Sequence, residues 1–278
     1  MTRKIISDSS VNLQELKSDI PFEKVPLTIT AGDREFVDDS SLDVKEMVDF
    51  LKAHKGKSGT ACPSVAAYLE AFGEAEEVYC VTITSNLSGS CNAARLAKED
   101  YEAAHPDRHV CIIDSLSAGA ELTLIIEKLQ DLIAAGKNFE EICKEIAAYQ
   151  EKIALLFSLE SLKNLANNGR VSPLVARLAG TLGICIVGKA SDVGTLEPMS
   201  KCRGEKKTLN TLYKHMKEIG FAGGKVRIDH CENQDAAEQI KELILQEYPD
   251  TDIEIGITCG LCSFYAEIGG LLVGFEKE

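Results

Sequence analysis

"VYCVTITSNLSGSCNAARLA", residues 78–97, decides how the rest of the chain is read. The apolar run at 78–83 stops abruptly. Thr84, Ser85, Ser88, Gly89 and Ser90 follow, and a helical pattern takes over by residues 93–97. A buried strand, a hydroxyl-rich turn and a helix in direct succession make one unit of an α/β fold. The serines of the turn are open to three readings: helix caps, a nucleophile, or the cradle of an anion.

Outward from this unit the same alternation repeats. Strand-like runs at 4–6, 25–30, 78–84 and 110–113 alternate with helical patterns at 43–54, 64–75, 90–104, 118–135 and 139–150. That order predicts a mostly parallel sheet with helices on both faces. Ligands of such sheets gather beyond the carboxyl ends of the strands. Here those ends carry Asp8-Ser9-Ser10, Thr84-Ser85 and Asp114-Ser115. Beyond residue 152 the rhythm changes. A strand at 153–159 leads to a short helix ending in "NNGRVSP" (167–173), then a helix at 174–182 and a strand at 184–187. A hairpin over 188–203, helices at 205–219 and 235–247, strands at 225–230 and 252–258, and an apolar run at 270–275 complete the chain. The expectation is an α/β protein of two domains. Residues 1–152 form the mostly parallel one, and residues 153–278 a mixed or antiparallel one.

Composition narrows the function. A 278-residue chain that is 45% hydrophobic can bury a sizeable core. Its net charge of −14 repels phosphate backbones, and 6% aromatics without Trp supply little for base stacking, which excludes a nucleic-acid partner. The opening residues turn polar after two apolar positions, unlike a signal peptide, and no run reaches membrane-span length. A cytoplasmic protein without stable membrane insertion and with a small-molecule ligand is expected. The ten cysteines lie mostly within apolar runs and read as small buried hydrophobes.

Several motifs fail on inspection. Gly183 to Lys189 has phosphate-loop spacing, but Ala190 stands where a magnesium-binding hydroxyl belongs and the intervening residues read as a strand. Cys259-Gly-Leu-Cys262 has redox spacing, but is read as a loop without the start of a helix that such thiols use. The five histidines show no metal-ligand spacing, so no metal and no cofactor are expected. Leu87-Ser88-Gly89 lacks the glycine of a nucleophile elbow. What survives is an anion cradle at 85–90, offering backbone N–H groups, serine hydroxyls and the close approach allowed by Gly89. "GTACPS" (59–64) is a second hydroxyl-bearing loop, with Thr60 ahead of Pro63, a first-turn residue of the next helix. With no adjacent Lys or Arg, the two loops suit one carboxylate better than a polyphosphate.

These stretches together resemble the DegV family, and specifically the fatty-acid-binding subunits of bacterial fatty acid kinase. The resemblance runs in order through "KIISDSSVNL" (4–13), "TACPS" (60–64), "SNLSGSCNAA" (85–94), "NGRVS" (168–172), "KCRGEKKTL" (201–209) and "AEIGGLLVGF" (266–275). It implies two α/β domains, a long-chain fatty acid buried between layers, and a carboxylate held by hydroxyls. The family's Thr falls on Thr60 and its head-group Ser on Ser88, with Gly89 and Ser90 completing the loop and Ser90 capping the helix. Two family arginines, placed near the ligand mouth or the surface offered to the kinase, fall on Arg170 and Arg203. Such a subunit is not a catalyst; it presents the fatty acid to a separate kinase that forms the acyl phosphate for phospholipid synthesis.

One position departs from the pattern. Kinase-linked members carry a histidine in an Ala-His-x-Gly segment near the carboxylate, where this chain has Glu267. An ionised Glu267 about 5 Å from a bound carboxylate would repel it by roughly 3 kcal/mol at an effective dielectric of about 20. Glu267 must then pair with a cation such as Arg203, stay protonated or point to solvent, or the ligand differs. Two alternatives stay open: a lipid carrier uncoupled from any kinase, which Glu267 favours, and, independently of it, an enzyme using the 85–90 loop or Cys259 and Cys262.

Overall fold

The computed structural model describes residues 2–176 and 183–278. The first lobe is organised by β1 (Arg3–Asp8), whose alternating residues face opposite sides of a parallel sheet. β2 (Phe22–Val25) lies beside it, and the chain then leaves the sheet for β3 (Thr28–Ala31), β4 (Arg34–Val37), α1 (Val44–Ala53) and β5 (Ser58–Ala61). It returns through α2 (Val65–Phe72), β6 (Glu77–Thr82), α3 (Ser90–Ala104) and β7 (His109–Asp114), followed by α4 (Ala120–Ala134) and α5 (Phe139–Gln150). The four parallel strands run in the order β2-β1-β6-β7. β6 is buried along its whole length, as a strand covered on both faces must be. Ile6, Val78 and Cys80 pack on one face with Tyr68, Phe72 and Ala97 of α2 and α3. Ile5, Tyr79 and Val81 pack on the other with Leu122, Ile126 and Ile146 of α4 and α5.

The expected strand at 25–30 is instead two strands in two sheets. Pro26 has no N–H to continue the ladder, so β2 ends at Val25. β3 then pairs antiparallel with β4 and β5 in a separate three-stranded sheet. Thr60 therefore sits on a strand, not in a loop. α2 starts later than Pro63 predicted, because Ser64 is its N-cap and accepts the Ala67 N–H at 3.2 Å.

The second lobe is one six-stranded sheet. β8 (Ile153–Leu159) is followed by the short α6 (Lys163–Asn167) and α7 (Pro173–Ala176); the remainder of the helix expected over 174–182 lies outside the described residues. β9 (Ile184–Ala190) and β10 (Leu196–Arg203) form the expected hairpin. α8 (Glu205–Ile219), β11 (Val226–His230), α9 (Gln234–Glu247), β12 (Ile253–Ile257), α10 (Gly260–Ala266) and β13 (Leu271–Glu276) follow. The order β10-β9-β8-β13-β11-β12 is antiparallel throughout except for the parallel pair β11–β12. α8 and α9 cover one face with Leu212, Met216, Ile240 and Ile244. α4 packs against β11 and β13 of this sheet and against β6 of the first, so it is shared by the two lobes.

The loop expected around Cys259–Cys262 is a helix start. α10 begins at Gly260 because the first lobe caps it: Asp38 Oδ1 accepts the Gly260 N–H at 2.7 Å and Oδ2 the Leu261 N–H at 2.8 Å. Asn12 Oδ1 accepts the Cys259 N–H at 2.8 Å. Nothing local in the sequence announces a cap that arrives from another lobe.

Candidate functional site

Every second residue of β8 points the same way, and Leu155, Phe157 and Leu159 form one wall of a cavity of about 90 Å³. Leu261, Cys262, Tyr265 and Ala266, one face of α10, form another. Leu27, Ile83, Leu87 and Ala118 from the first lobe and Leu165, Leu196 and Leu272 from the second complete the apolar lining. Four polar side chains reach the cavity: Thr60, Ser88, Arg170 and Tyr265.

Thr60, Ser88 and Arg170 come together because three segments pack on one another. A β-carbon on Gly89 would stand 3.2 Å from Cys62 Sγ, and one on Gly59 would stand 3.3 Å from Asn168 Oδ1. The absence of side chains at 59 and 89 thus permits the close approach of the 59–62, 85–90 and 168–170 segments. Arg170 crosses between the lobes: its Nε donates to the Leu87 carbonyl at 3.0 Å, and its Nη1 to the Asn168 carbonyl. Thr60 Oγ1 and Tyr265 OH are hydrogen-bonded at 2.8 Å. Burial pushes the Tyr265 phenol up from its ordinary value, with a smaller opposing effect from the Arg170 charge. Ser88 Oγ accepts the Ser90 N–H at 3.2 Å.

The backbone cradle expected at 85–90 is largely closed. Ser85 N–H donates to Asp114 Oδ1 at 3.0 Å and Asn86 N–H to Thr84 Oγ1 at 3.3 Å. Leu87 and Ser88 both donate to the Thr84 carbonyl, at 3.1 and 3.3 Å. The groups left to meet an anion are hydroxyls and the Arg170 guanidinium, a cation delivered from 83 residues away in the chain.

Of the other candidate residues, Gly89 and Ser90 do not line the cavity. Gly89 is the N-cap of α3 with no side-chain cap, so Ser90 is not the capping residue expected of it. Its buried hydroxyl donates to Asp8 Oδ2 at 2.5 Å and shares a 2.6 Å hydrogen bond with Tyr68. Arg203 is exposed at the end of β10, away from the cavity lining. Glu267 terminates α10 with φ of 55°, a turn that carries its side chain to the far side of the helix. There Oε1 accepts the Ser161 hydroxyl at 2.8 Å, and the residue lines a separate cleft. The repulsion expected from Glu267 is therefore not built into the cavity.

The geometry offers little to a nucleophile. Ser88 has no histidine partner among the described residues; His215 bonds Ser200 and Glu218, and His230 bonds Gln234. Burial pushes the Cys259 thiol up to about 11 and the Cys262 thiol well above its ordinary value, so thiolate is scarce at neutral pH. No helix among the described residues is long and apolar enough to cross a membrane. Tyr265 was not picked out from the sequence. Had 260–266 been read as a helix, its spacing from Leu261 and Cys262 would have put it on the cavity face.

With this geometry in view, the comparisons with known proteins agree along the whole chain. The DegV family profile matches residues 2–278. A DegV domain-containing protein of Streptococcus pneumoniae is 47% identical over 281 residues, covering 100% of both chains. The crystal structure of the Streptococcus pneumoniae fatty acid kinase (Fak) B3 protein, loaded with linoleic acid, superposes with a TM-score of 0.98 at 47% identity and covers 100% of each chain. A DegV family protein from Eubacterium eligens, loaded with heptadecanoic acid, superposes with a TM-score of 0.97 at 46% identity, covering 99% of this chain and 100% of that one.

Proposed function

The chain belongs to the DegV family, and from that membership we propose that it binds one long-chain fatty acid, with the acyl chain in the apolar cavity and the carboxylate at Thr60, Ser88 and Arg170. The carrying observation is that a cavity otherwise walled by Leu, Ile, Phe, Ala and Cys side chains holds two hydroxyls, a phenol and a guanidinium. Burying an acyl chain favours binding by about 0.8 kcal/mol per methylene, on the order of 10 kcal/mol gross for a membrane-type fatty acid. Lost translational freedom and ordering of the chain offset much of that. The carboxylate must then be compensated for leaving water. A guanidinium about 4 Å away contributes roughly 4 kcal/mol at an effective dielectric of about 20, and each hydrogen bond to the charged group about 1.5–3 kcal/mol.

The protein is then a ligand-presenting subunit and not itself a catalyst. Its partner is a separate fatty acid kinase, as the name of the Streptococcus pneumoniae relative supports. Exposed Arg203 belongs to the surface such a partner would meet. Native mass spectrometry of protein purified without added lipid, followed by denaturing extraction, tests the binding. One fatty acid per chain is expected. An empty protein that also ignores added linoleic acid would sink the proposal. Loaded protein incubated with the kinase and ATP should yield acyl phosphate; confirmed loading without product would leave a carrier.

A further inference from the structure

The two hydroxyls at the cavity share a design. A hydroxyl has one proton and two lone pairs, so once its oxygen accepts a bond from the protein its proton is left for a ligand. Ser88 Oγ accepts a backbone N–H, which can only donate. At Thr60 the partner is the Tyr265 hydroxyl, and either proton could bridge the 2.8 Å between them. Chemistry selects one direction. A phenol, with a pKa of about 10, is far more acidic than an alkyl alcohol, so Tyr265 is the better donor and Thr60 the better acceptor.

We propose that Tyr265 is a positioning residue for the fatty-acid carboxylate: it donates its hydroxyl proton to Thr60 Oγ1 and so turns the Thr60 proton toward the ligand. The chain Tyr O–H, Thr O–H, carboxylate uses each proton once and ends on a full negative charge, where hydrogen bonds are strongest. Each link polarises the next. The ring is well held for the task, because Asp38 and Asn12 fix the start of α10. Phe264 packs edge-on against it at 4.8 Å between centroids. The inference rests on the fatty-acid reading above.

The test is a double-mutant cycle over Tyr265→Phe and Thr60→Val, with linoleic acid and linoleyl alcohol titrated into the full chain. Each single variant is expected to weaken linoleic acid binding about tenfold, and the double variant no further. Linoleyl alcohol, which brings no charge, should change by only about threefold. Thr60→Ser, which keeps the hydroxyl, should bind linoleic acid like the parent and lose affinity again when Tyr265→Phe is added. Additive losses, about a hundredfold in the double variant, would mean that Tyr265 grips the ligand independently and would overturn the inference. Equal losses for acid and alcohol would assign Tyr265 to packing and overturn it as well. Parent protein that binds linoleic acid while Tyr265→Phe binds it equally well overturns this inference alone. Parent protein that binds neither probe overturns the fatty-acid reading with it.

Discussion

Two hollows flank α10, and the larger is the less suited to a lipid. On one side lies the apolar cavity of about 90 Å³. On the other, a cleft of about 630 Å³ is lined by Lys52, His54, Glu160, Lys163 and Glu267 among others. One seven-residue helix supplies walls to both: Leu261, Cys262 and Tyr265 to the first, Ser263 and Phe264 to the second. An acyl chain gains by leaving water for apolar walls. In the polar cleft it would instead strip water from charged groups and, being apolar, offer them no hydrogen bond in exchange. The contrast teaches that lining chemistry, not volume, identifies the candidate site.

Three substitutions can break or sharpen this contrast. The largest effect is expected from Asp38→Ala, which removes the acceptor of two buried N–H groups at the start of the partition helix. Stability of the unliganded protein should fall by about 3 kcal/mol, read from urea denaturation. A loss below about 0.5 kcal/mol would mean that the helix does not depend on the first lobe. Next comes Arg170→Gln, on the apolar side. Linoleic acid should bind about 10–100-fold more weakly by calorimetric titration, while the empty protein melts a few degrees lower because the Leu87 and Asn168 carbonyls lose their donor. Retained affinity would remove Arg170 from the head-group site. Smallest is Glu267→Gln, on the polar side, where fatty-acid affinity should stay within about twofold because the charge faces the other hollow. A tenfold gain would show that Glu267 reaches the carboxylate after all and that the two hollows communicate.

Much of the framework was legible in the chain itself. The helices at 90–104, 139–150 and 205–219 and the strand at 153–159 stand at the predicted limits. Their signals are local: apolar periodicity within each segment, and at Asn138 a capping box closed by Glu141 three residues on. β4, β5 and α10 were not legible. Four-residue edge strands have too little pattern to read, and α10 owes its start to an acceptor 222 positions away. The site divides along the same line. Thr60 and Ser88 were marked by hydroxyl-rich segments and Arg170 by the family resemblance alone, but the bond of Arg170 to the Leu87 carbonyl, Tyr265 at Thr60 and the turn of Glu267 away from the cavity were not legible.

The sequence by itself determined the alternation of strands and helices, the division into two lobes and the hydroxyl-bearing turns, because periodicity and most caps act over a few residues. Only the tertiary structure decided which side chains share the cavity. Thr60 and Tyr265 meet across 205 positions of chain, and such a contact exists only once both lobes have closed on the helix between the two hollows.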